Sequence, residues 1–511
     1  MRNVDLEITE RLHRRQPYKR ALKTGKTMRR GGKTTPSIEF EEEVKGNSVK
    51  KLRLFGTSGI RGAANVEITP EMATKLGVTF ASFFGNGGTV AVGRDVRLPA
   101  KLLHYAFISG VLAGGVNVED CGLAPTPAVL WAVKKRGLDG AAVVTGSHTP
   151  PEITGFLFFM SDTAEFSVEE SHRFEKIFFN EPKVVAWNEV GKCSEVDVSD
   201  LYLGGVLECV DLRKISSSDF KVVIDPGNGA SALICDRIFQ AAGVKAAVIN
   251  GEPNGMFPNR DPYPRPEVLG ELVREVNESG ADIGSATDAD GDRAIFVDDE
   301  GKVLWGDISG CVFVKDTLMK HGGGVVAAPI NTSQLIKWVC NLYNGKVAYT
   351  KVGPSHIVSG LKRVKALFGM EETGKNIWPE AILYGDWALA TLKMLEIMAK
   401  EQKSLSELVQ EFPKFHMRKE AFYCPETLKN SVMMNALKEW KKRGEEAEVV
   451  TIDGVKIIYP DGSWMLLRPS GTEPVFRMYA ESQDPTRVQE LAKVGSELIK
   501  KSLVETAPSA R

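Results

Sequence analysis

The sequence predicts an α/β protein: three similar α/β domains, each with a largely parallel sheet covered on both faces, followed by a small C-terminal α+β domain. Three observations carry this. At 511 residues the chain exceeds what one hydrophobic core supports, so three or four domains are expected. A rhythm of strand, glycine-rich loop and helix begins near residue 51 and restarts at Lys221 and Gly324. Roughly the last hundred residues replace it with closely spaced strands of antiparallel type and one amphipathic helix.

Residues 1–50 stand apart. Arg11, Arg14, Arg15, Lys19, Arg20, Lys23, Lys26, Arg29, Arg30 and Lys33 form a basic stretch with no acid between them, and residues 39 to 43 then turn acidic. So few apolar residues predict a disordered extension, with a nucleic-acid tether as the alternative use. Residues 51–198 form the first α/β domain. Strand Thr89–Gly93 leads to helix Leu102–Ala113, strand Val116–Glu119, helix Pro127–Lys135 and the buried strand Gly140–Val144. The second domain, 199–304, starts from strand Lys221–Ile224, whose loop Asp225–Gly229 opens a helix through Ala241. The third, 305–412, places strand Gly324–Ala328, helix Ser333–Leu342 and strand Lys346–Thr350 in series. A linker is expected over Phe412–Lys419. Residues 413–511 then supply strands Val455–Tyr459, Ser463–Arg468 and Val475–Glu481 and helix Pro485–Lys501.

Composition removes several function classes. A formal net charge of −1 gives the whole molecule no pull toward nucleic acid or membrane. Seven scattered cysteines form no CxxC pair, which suits reduced thiols better than a disulfide framework or structural zinc. No apolar run reaches the length of a bilayer span and no secretory signal is present, so a cytoplasmic protein is expected.

Four loops carry chemistry. Asp288-Ala-Asp290-Gly-Asp292-Arg293 places three carboxylates around a glycine bend between strands Ala281–Ala286 and Ala294–Asp298. Such a loop converges on one hard cation, because like charges so close resist ionisation without one. An EF-hand fails the spacing test: its sixth position would be Arg293 and its twelfth Asp299. A solvated acidic turn remains the alternative. Thr145-Gly-Ser147-His148-Thr-Pro-Pro151 holds a serine at a strand end, as nucleophile, phosphate acceptor or ordinary turn; Thr149 rules out the hydrolase elbow. Gly369-Met-Glu371-Glu372-Thr373-Gly-Lys375 offers paired carboxylates to vicinal hydroxyls or simply to water. Arg468-Pro-Ser470-Gly471-Thr472-Glu-Pro474, with Arg477 beyond, gathers arginines, hydroxyls and backbone N–H groups into an anion cradle. It lacks the lysine of an ATP-binding P-loop.

These loops in this order, with the opening Phe55-Gly-Thr-Ser-Gly-Ile-Arg61-Gly62, resemble the α-D-phosphohexomutase family from about Leu52 to the C-terminus, in its prokaryotic or archaeal form. The resemblance implies four domains around a central cleft, one loop from each. It marks Ser147 as a phosphoserine beside His148, and Asp288, Asp290 and Asp292 with the seryl phosphate as Mg²⁺ ligands. Arg61 and Arg293 would stabilise the transferring phosphoryl group. Lys351, Gly353, Glu371 and Thr373 would contact the sugar; Arg468, Ser470, Gly471, Thr472 and Arg477 would hold the non-reacting phosphate. The implied activity moves phosphate between C6 and C1 of mannose or glucose through a hexose 1,6-bisphosphate. Phosphoglucosamine mutase and a non-catalytic phosphosugar-binding regulator are the alternatives.

The chain departs from the family pattern in places. Leu157 stands where many members carry a lysine that serves as general acid or base, which leaves proton transfer unassigned. Lys375 replaces histidine or glycine, as a substitute acid/base or an exposed salt-bridging lysine. Thr149 and Thr154 replace asparagines, Pro354 stands where some relatives have histidine, and Gly385-Asp386-Trp387 replaces Arg-Asp-Gly. These departures are expected to leave the serine, metal and phosphate loops untouched.

Overall fold

The computed structural model describes residues 54–85, 87–471 and 473–506. The basic extension and Thr472 lie outside them.

The first sheet contains β1 (Ile60–Ala63), β2 (Thr89–Arg94), β3 (Asn117–Leu123), β4 (Gly140–Val144), β5 (Ile153–Met160) and β6 (Cys193–Glu195), ordered β1-β5-β4-β2-β3-β6. The second has β7 (Lys221–Asp225), β8 (Lys245–Val248), β9 (Ile283–Ala286), β10 (Ile295–Val297) and β11 (Val303–Leu304), ordered β11-β10-β9-β7-β8. The third has β12 (Gly324–Pro329), β13 (Gly345–Thr350), β14 (Phe368–Met370) and β15 (Asn376–Ile377), ordered β13-β12-β14-β15. One plan underlies all three. A first strand (β2, β7, β12) pairs in parallel with the next two, and a fourth (β5, β10, β15) returns antiparallel beside the third. The sheets are therefore mixed, with parallel centres and antiparallel edges. Crossover helices such as Ala100–Ala113, Gly270–Ser279 and Pro354–Val364 make the parallel pairings possible.

Alternation along the strands explains why both faces are covered. In β2, β4 and β5, Val90, Val92, Ala142, Val144, Phe156 and Phe158 enter an outer core of the first domain. Their neighbours Ala91, Ala141, Val143, Leu157 and Phe159 enter a core shared by all four domains. Leu157 is thus a core residue. The second and third sheets split likewise, with Ile224 and Phe296, and Val326 and Phe368, in the shared core.

The fourth sheet is antiparallel throughout: β16 (His416–Tyr423), β17 (Glu448–Val450), β18 (Val455–Ile458), β19 (Trp464–Pro469) and β20 (Val475–Ser482), ordered β16-β20-β19-β18-β17. Helices Lys429–Lys441 and Pro485–Thr506 pack on it. Two expectations are corrected. The linker at Phe412–Lys419 ends at His416, where β16 begins, because that segment pairs along its length with β20. The helix through Ala241 is broken at Ile234 into a 3₁₀ turn, Ala230–Leu233, and helix Cys235–Ala241. The Ala230 N–H is drawn to the carbonyl of Ala289 in the acidic loop (2.9 Å). All seven cysteines are free thiols. No helix among the described residues is long and apolar enough to cross a membrane.

Candidate active site

The serine, acidic and Glu371–Lys375 loops occupy one topological position, the turn from third to fourth strand of each sheet. Equivalent turns of three packed domains therefore meet. The acidic loop lies in the middle. Thr126 of the first domain donates its N–H to the Asp290 carbonyl (2.8 Å) and its Oγ1 hydroxyl to Asp290 Oδ2 (2.9 Å). From the third, Trp387 N–H donates to the Gly291 carbonyl (3.1 Å), and Ala294 N–H donates to that of Gly374 (2.9 Å).

The serine loop is bent by force. Ser147 has φ +51, a left-handed conformation that costs a non-glycine residue about 1 kcal/mol or more. Arg97, fully buried, holds it there, donating to the carbonyls of Ser147 (2.7 Å), Thr149 (2.6 Å) and Pro150 (2.6 Å) while pairing with Asp95 (3.1 Å). Thr145 hydroxyl donates to Asp95 (2.7 Å) and accepts the Ser147 N–H (2.7 Å). Gly146 is required: an added β-carbon would lie 2.6 Å from the Arg97 guanidinium.

Thus presented, Ser147 Oγ donates to Asp288 Oδ2 at 2.9 Å, and His148 Nδ1 lies 3.3 Å away. Burial, then the charges of Arg293 and Arg61, hold His148 well below its ordinary pKa, so the ring is neutral at pH 7. One oxygen from each of Asp288, Asp290 and Asp292 lies within 4.8 Å of the others, all three residues being buried. Burial and then repulsion from Asp292 push Asp288 up to about 6 and Asp290 well above the usual range. Burial would raise Asp292 too, but Lys375 and Arg293 outweigh it and hold it low. Asp290 Oδ1 is buried without a hydrogen-bond partner among the described residues. Buried carboxylate oxygens in that state fit a hard divalent cation, which would favour the ionised forms of Asp288 and Asp290 beside the already ionised Asp292. Arg293, 3.5 Å from Asp288 and 3.7 Å from Asp292, is fixed in its charged form by them despite its burial.

The Glu371–Lys375 turn closes through Glu371 N–H to Lys375 carbonyl (2.9 Å). Glu371 is buried, and Thr373 Oγ1 is buried without a partner among the described residues. Beside the turn a cleft of about 1300 Å³ is lined by Tyr263, Arg265, Trp305, Glu372, Lys419 and Arg477, from three domains. Ser147 and the aspartates do not line it; Tyr263 does, and its ring also meets His148 (5.0 Å) and Arg293 (5.3 Å).

Arg468 and Arg477 are direct partners across β19 and β20. Asp453 accepts from Arg468 (2.6 Å) and from Val352 N–H (3.0 Å), joining the phosphate loop to Lys351–Gly353. Ser470 Oγ accepts the Glu473 N–H (3.2 Å). A hollow of about 260 Å³ between Thr57, Gly59, Glu165, His356 and Gly471 brings this loop against the opening loop that carries Arg61. The phosphate loop therefore lies beside the opening loop.

Two expectations about the departures fail. Lys375 is not exposed: it is 2% accessible, with Nζ 2.8 Å from Asp292. The departures do reach the metal loop, since Lys375, Gly385 and Trp387 all pack on it. Sequence reasoning also missed Arg97, Tyr263, Lys419 and Asp453. Arg97 had a signal, the Arg-Asp-Val-Arg run that starts at the last residue of β2; Asp453 had none, since it stands alone on the bend between β17 and β18.

Four family descriptions match in chain order. Phosphoglucomutase/phosphomannomutase α/β/α domains I, II and III cover residues 52–184, 200–301 and 305–415, and the C-terminal domain covers 428–494. A phosphoglucomutase/phosphomannomutase of Thermococcus kodakarensis is 36% identical over 88% of this chain and 99% of its own. A probable phosphoglucosamine mutase of Methanopyrus kandleri and a phosphopentomutase of Thermococcus kodakarensis are each 35% identical over 89% of this chain and 99% of their own. A crystal structure of a phosphoglucomutase/phosphomannomutase family protein from Burkholderia thailandensis superposes with TM-score 0.78 at 26% identity, covering 90% of this chain and 98% of its own.

Proposed function

The chain belongs to the phosphoglucomutase/phosphomannomutase family, and we propose that it interconverts hexose 6-phosphate and hexose 1-phosphate, of mannose or glucose, through phosphorylated Ser147. The observation that carries this is the 2.9 Å contact between Ser147 Oγ and Asp288, which puts the only serine with left-handed backbone among the described residues beside the carboxylate triplet. In the proposed cycle the P–Oγ bond of phosphoserine breaks as a P–O bond to the free sugar hydroxyl forms. The hydroxyl gives up a proton and Ser147 Oγ regains one; neutral His148, 3.3 Å from Oγ, is the side chain at hand to carry it. The hexose 1,6-bisphosphate then turns end for end and returns its other phosphate to Ser147. Mg²⁺ on Asp288, Asp290 and Asp292 would draw charge from the phosphoryl group. Arg61 and Arg293 supply fixed positive charge around it, so positioning and electrostatics do most of the work.

Lys351, Gly353, Glu371 and Thr373 are proposed to contact the sugar, and Arg468, Ser470, Gly471, Thr472 and Arg477 to hold the non-reacting phosphate. The proposed domain limits are 51–198, 199–304, 305–412 and 413–511. Arginine and backbone donors suit a cradle that must accept either phosphate. The phosphoglucosamine reading is kept because a relative at 35% identity, against 36% for the phosphoglucomutase/phosphomannomutase, is named a probable phosphoglucosamine mutase. Mannose, glucose, glucosamine 6-phosphates and ribose 5-phosphate, assayed side by side with the matching bisphosphate, choose among them. Intact-mass analysis should find a phosphoryl adduct on the Ser147 peptide that disappears on incubation with substrate. Ser147→Ala should lose the adduct and at least about 10³-fold of turnover; unchanged turnover would sink the assignment, and sugar binding without turnover in the wild type would make the protein a regulator.

A further inference from the structure

Lys375 leaves the Glu371–Lys375 turn and runs inward. Its Nζ lies 2.8 Å from Asp292 Oδ2 and 2.9 Å from Tyr384 Oη, 4.1 Å from the centre of that tyrosine's ring. Tyr384 is itself buried, so the ammonium has no route to solvent on that side. The neighbouring backbone is shaped for this approach. A β-carbon on Gly385 would stand 2.2 Å from the Asp292 carbonyl oxygen and 3.3 Å from Lys375 Cγ. Two departures from the family pattern, at 375 and 385, therefore meet at a single aspartate of the acidic loop, Lys375 at its carboxylate and Gly385 at its backbone carbonyl. Arg293, the cation of the loop itself, stands farther off, at 3.7 Å from Asp292.

Resting on the reading of this loop as a divalent-cation site, we propose that Lys375 is a permanent counter-cation of that site, fixed by Tyr384 and Asp292, which lowers the affinity of the carboxylate triplet for the divalent ion. A buried ammonium within contact distance of one ligand acts through surroundings that screen poorly, so it repels an arriving cation strongly. Its anchorage to Tyr384 prevents it from swinging aside as a surface lysine would. The same anchorage fixes the far end of the Glu371–Lys375 turn to the metal loop. The role is one of charge and position; no proton needs to leave the lysine.

Mn²⁺ binding to the full-length protein, followed by electron paramagnetic resonance at pH 8, tests this. Lys375→Met should bind Mn²⁺ about tenfold more tightly than the wild type, whereas Lys375→Arg, which keeps the charge, should match the wild type. If the methionine protein does not fold, Lys375→Gln reads the same shift. Equal or weaker binding by the neutral variant overturns the counter-cation role alone. A wild type that binds no Mn²⁺ overturns it together with the cation reading of the acidic loop.

Discussion

At the scale of the residue, the site depends on holding one serine in a conformation its backbone resists. Ser147 at φ +51 would relax toward an ordinary turn if its carbonyl were free. Arg97 prevents this with a planar fork that reaches three carbonyls and Asp95 at once. Lysine carries the same charge on a single point and cannot span those acceptors. Arg97→Lys should therefore lower unfolding free energy by about 2–3 kcal/mol, toward the cost of breaking a buried pair. It should also reduce phosphate occupancy of Ser147 severalfold; denaturant melts and intact mass measure the two effects. Normal occupancy at reduced stability would show that Arg97 supports the fold but not the serine geometry.

At the scale of the element, a misread strand hides part of the cleft. β16 carries His416, Arg418, Lys419 and Glu420 on a sheet edge, and edge strands are commonly charged to resist pairing with other chains. That composition imitates a linker. Reading it as one conceals Lys419, which reaches from the fourth domain to Glu372 and lies 5.5 Å from the Trp305 ring. Because Lys419 is 39% exposed, the pair contributes little to stability, below about 1 kcal/mol. Lys419→Gln should leave the melting curve nearly unchanged but raise KM for the hexose phosphate severalfold, since Glu372 loses the charged one of its two partners and keeps only Asn331 (2.8 Å); an unchanged KM would remove Lys419 from the substrate site. The contrast shows what a sequence discloses. Serine, aspartate and arginine loops declare themselves because glycine, hydroxyls and charges cluster within a few residues. Lys375 does not: a lysine after a glycine turn reads as solvated, and only the missing side chain at Gly385, ten positions on, makes room for it. Parallel centres were legible from buried apolar runs; the antiparallel returns β5, β10 and β15 were not, since strand direction depends on pairing partners distant in sequence.

At the scale of the whole molecule, the shared core runs from Trp131 and Phe159 through Phe239 and Trp387 to Trp464 and Tyr479, crossing all four domains. The fourth domain adds a polar seam to that contact. Glu481 accepts from Ser333 hydroxyl, from Gln334 N–H (2.9 Å) and from Trp464 Nε1 (2.5 Å). Lys456 Nζ donates to the Ile330 carbonyl (2.8 Å) and lies 3.7 Å from the Trp464 ring. Burial lowers the Lys456 pKa to about 7, against a partial pull upward from Glu481. The sign of its effect follows. An unfolded lysine titrates near 10.5 and the folded one near 7, so between those values the unfolded chain holds the extra proton and stability rises with pH. Below pH 7 the folded protein carries the buried charge and its full penalty. Lys456→Met, similar in volume and uncharged, should therefore be more stable than the wild type at pH 6, and that advantage should shrink by roughly 2–4 kcal/mol by pH 10. Chemical denaturation of both proteins across that range measures the difference directly. A gap independent of pH would mean that Lys456 keeps an ordinary pKa, and that the seam between the third and fourth domains opens far enough to admit water.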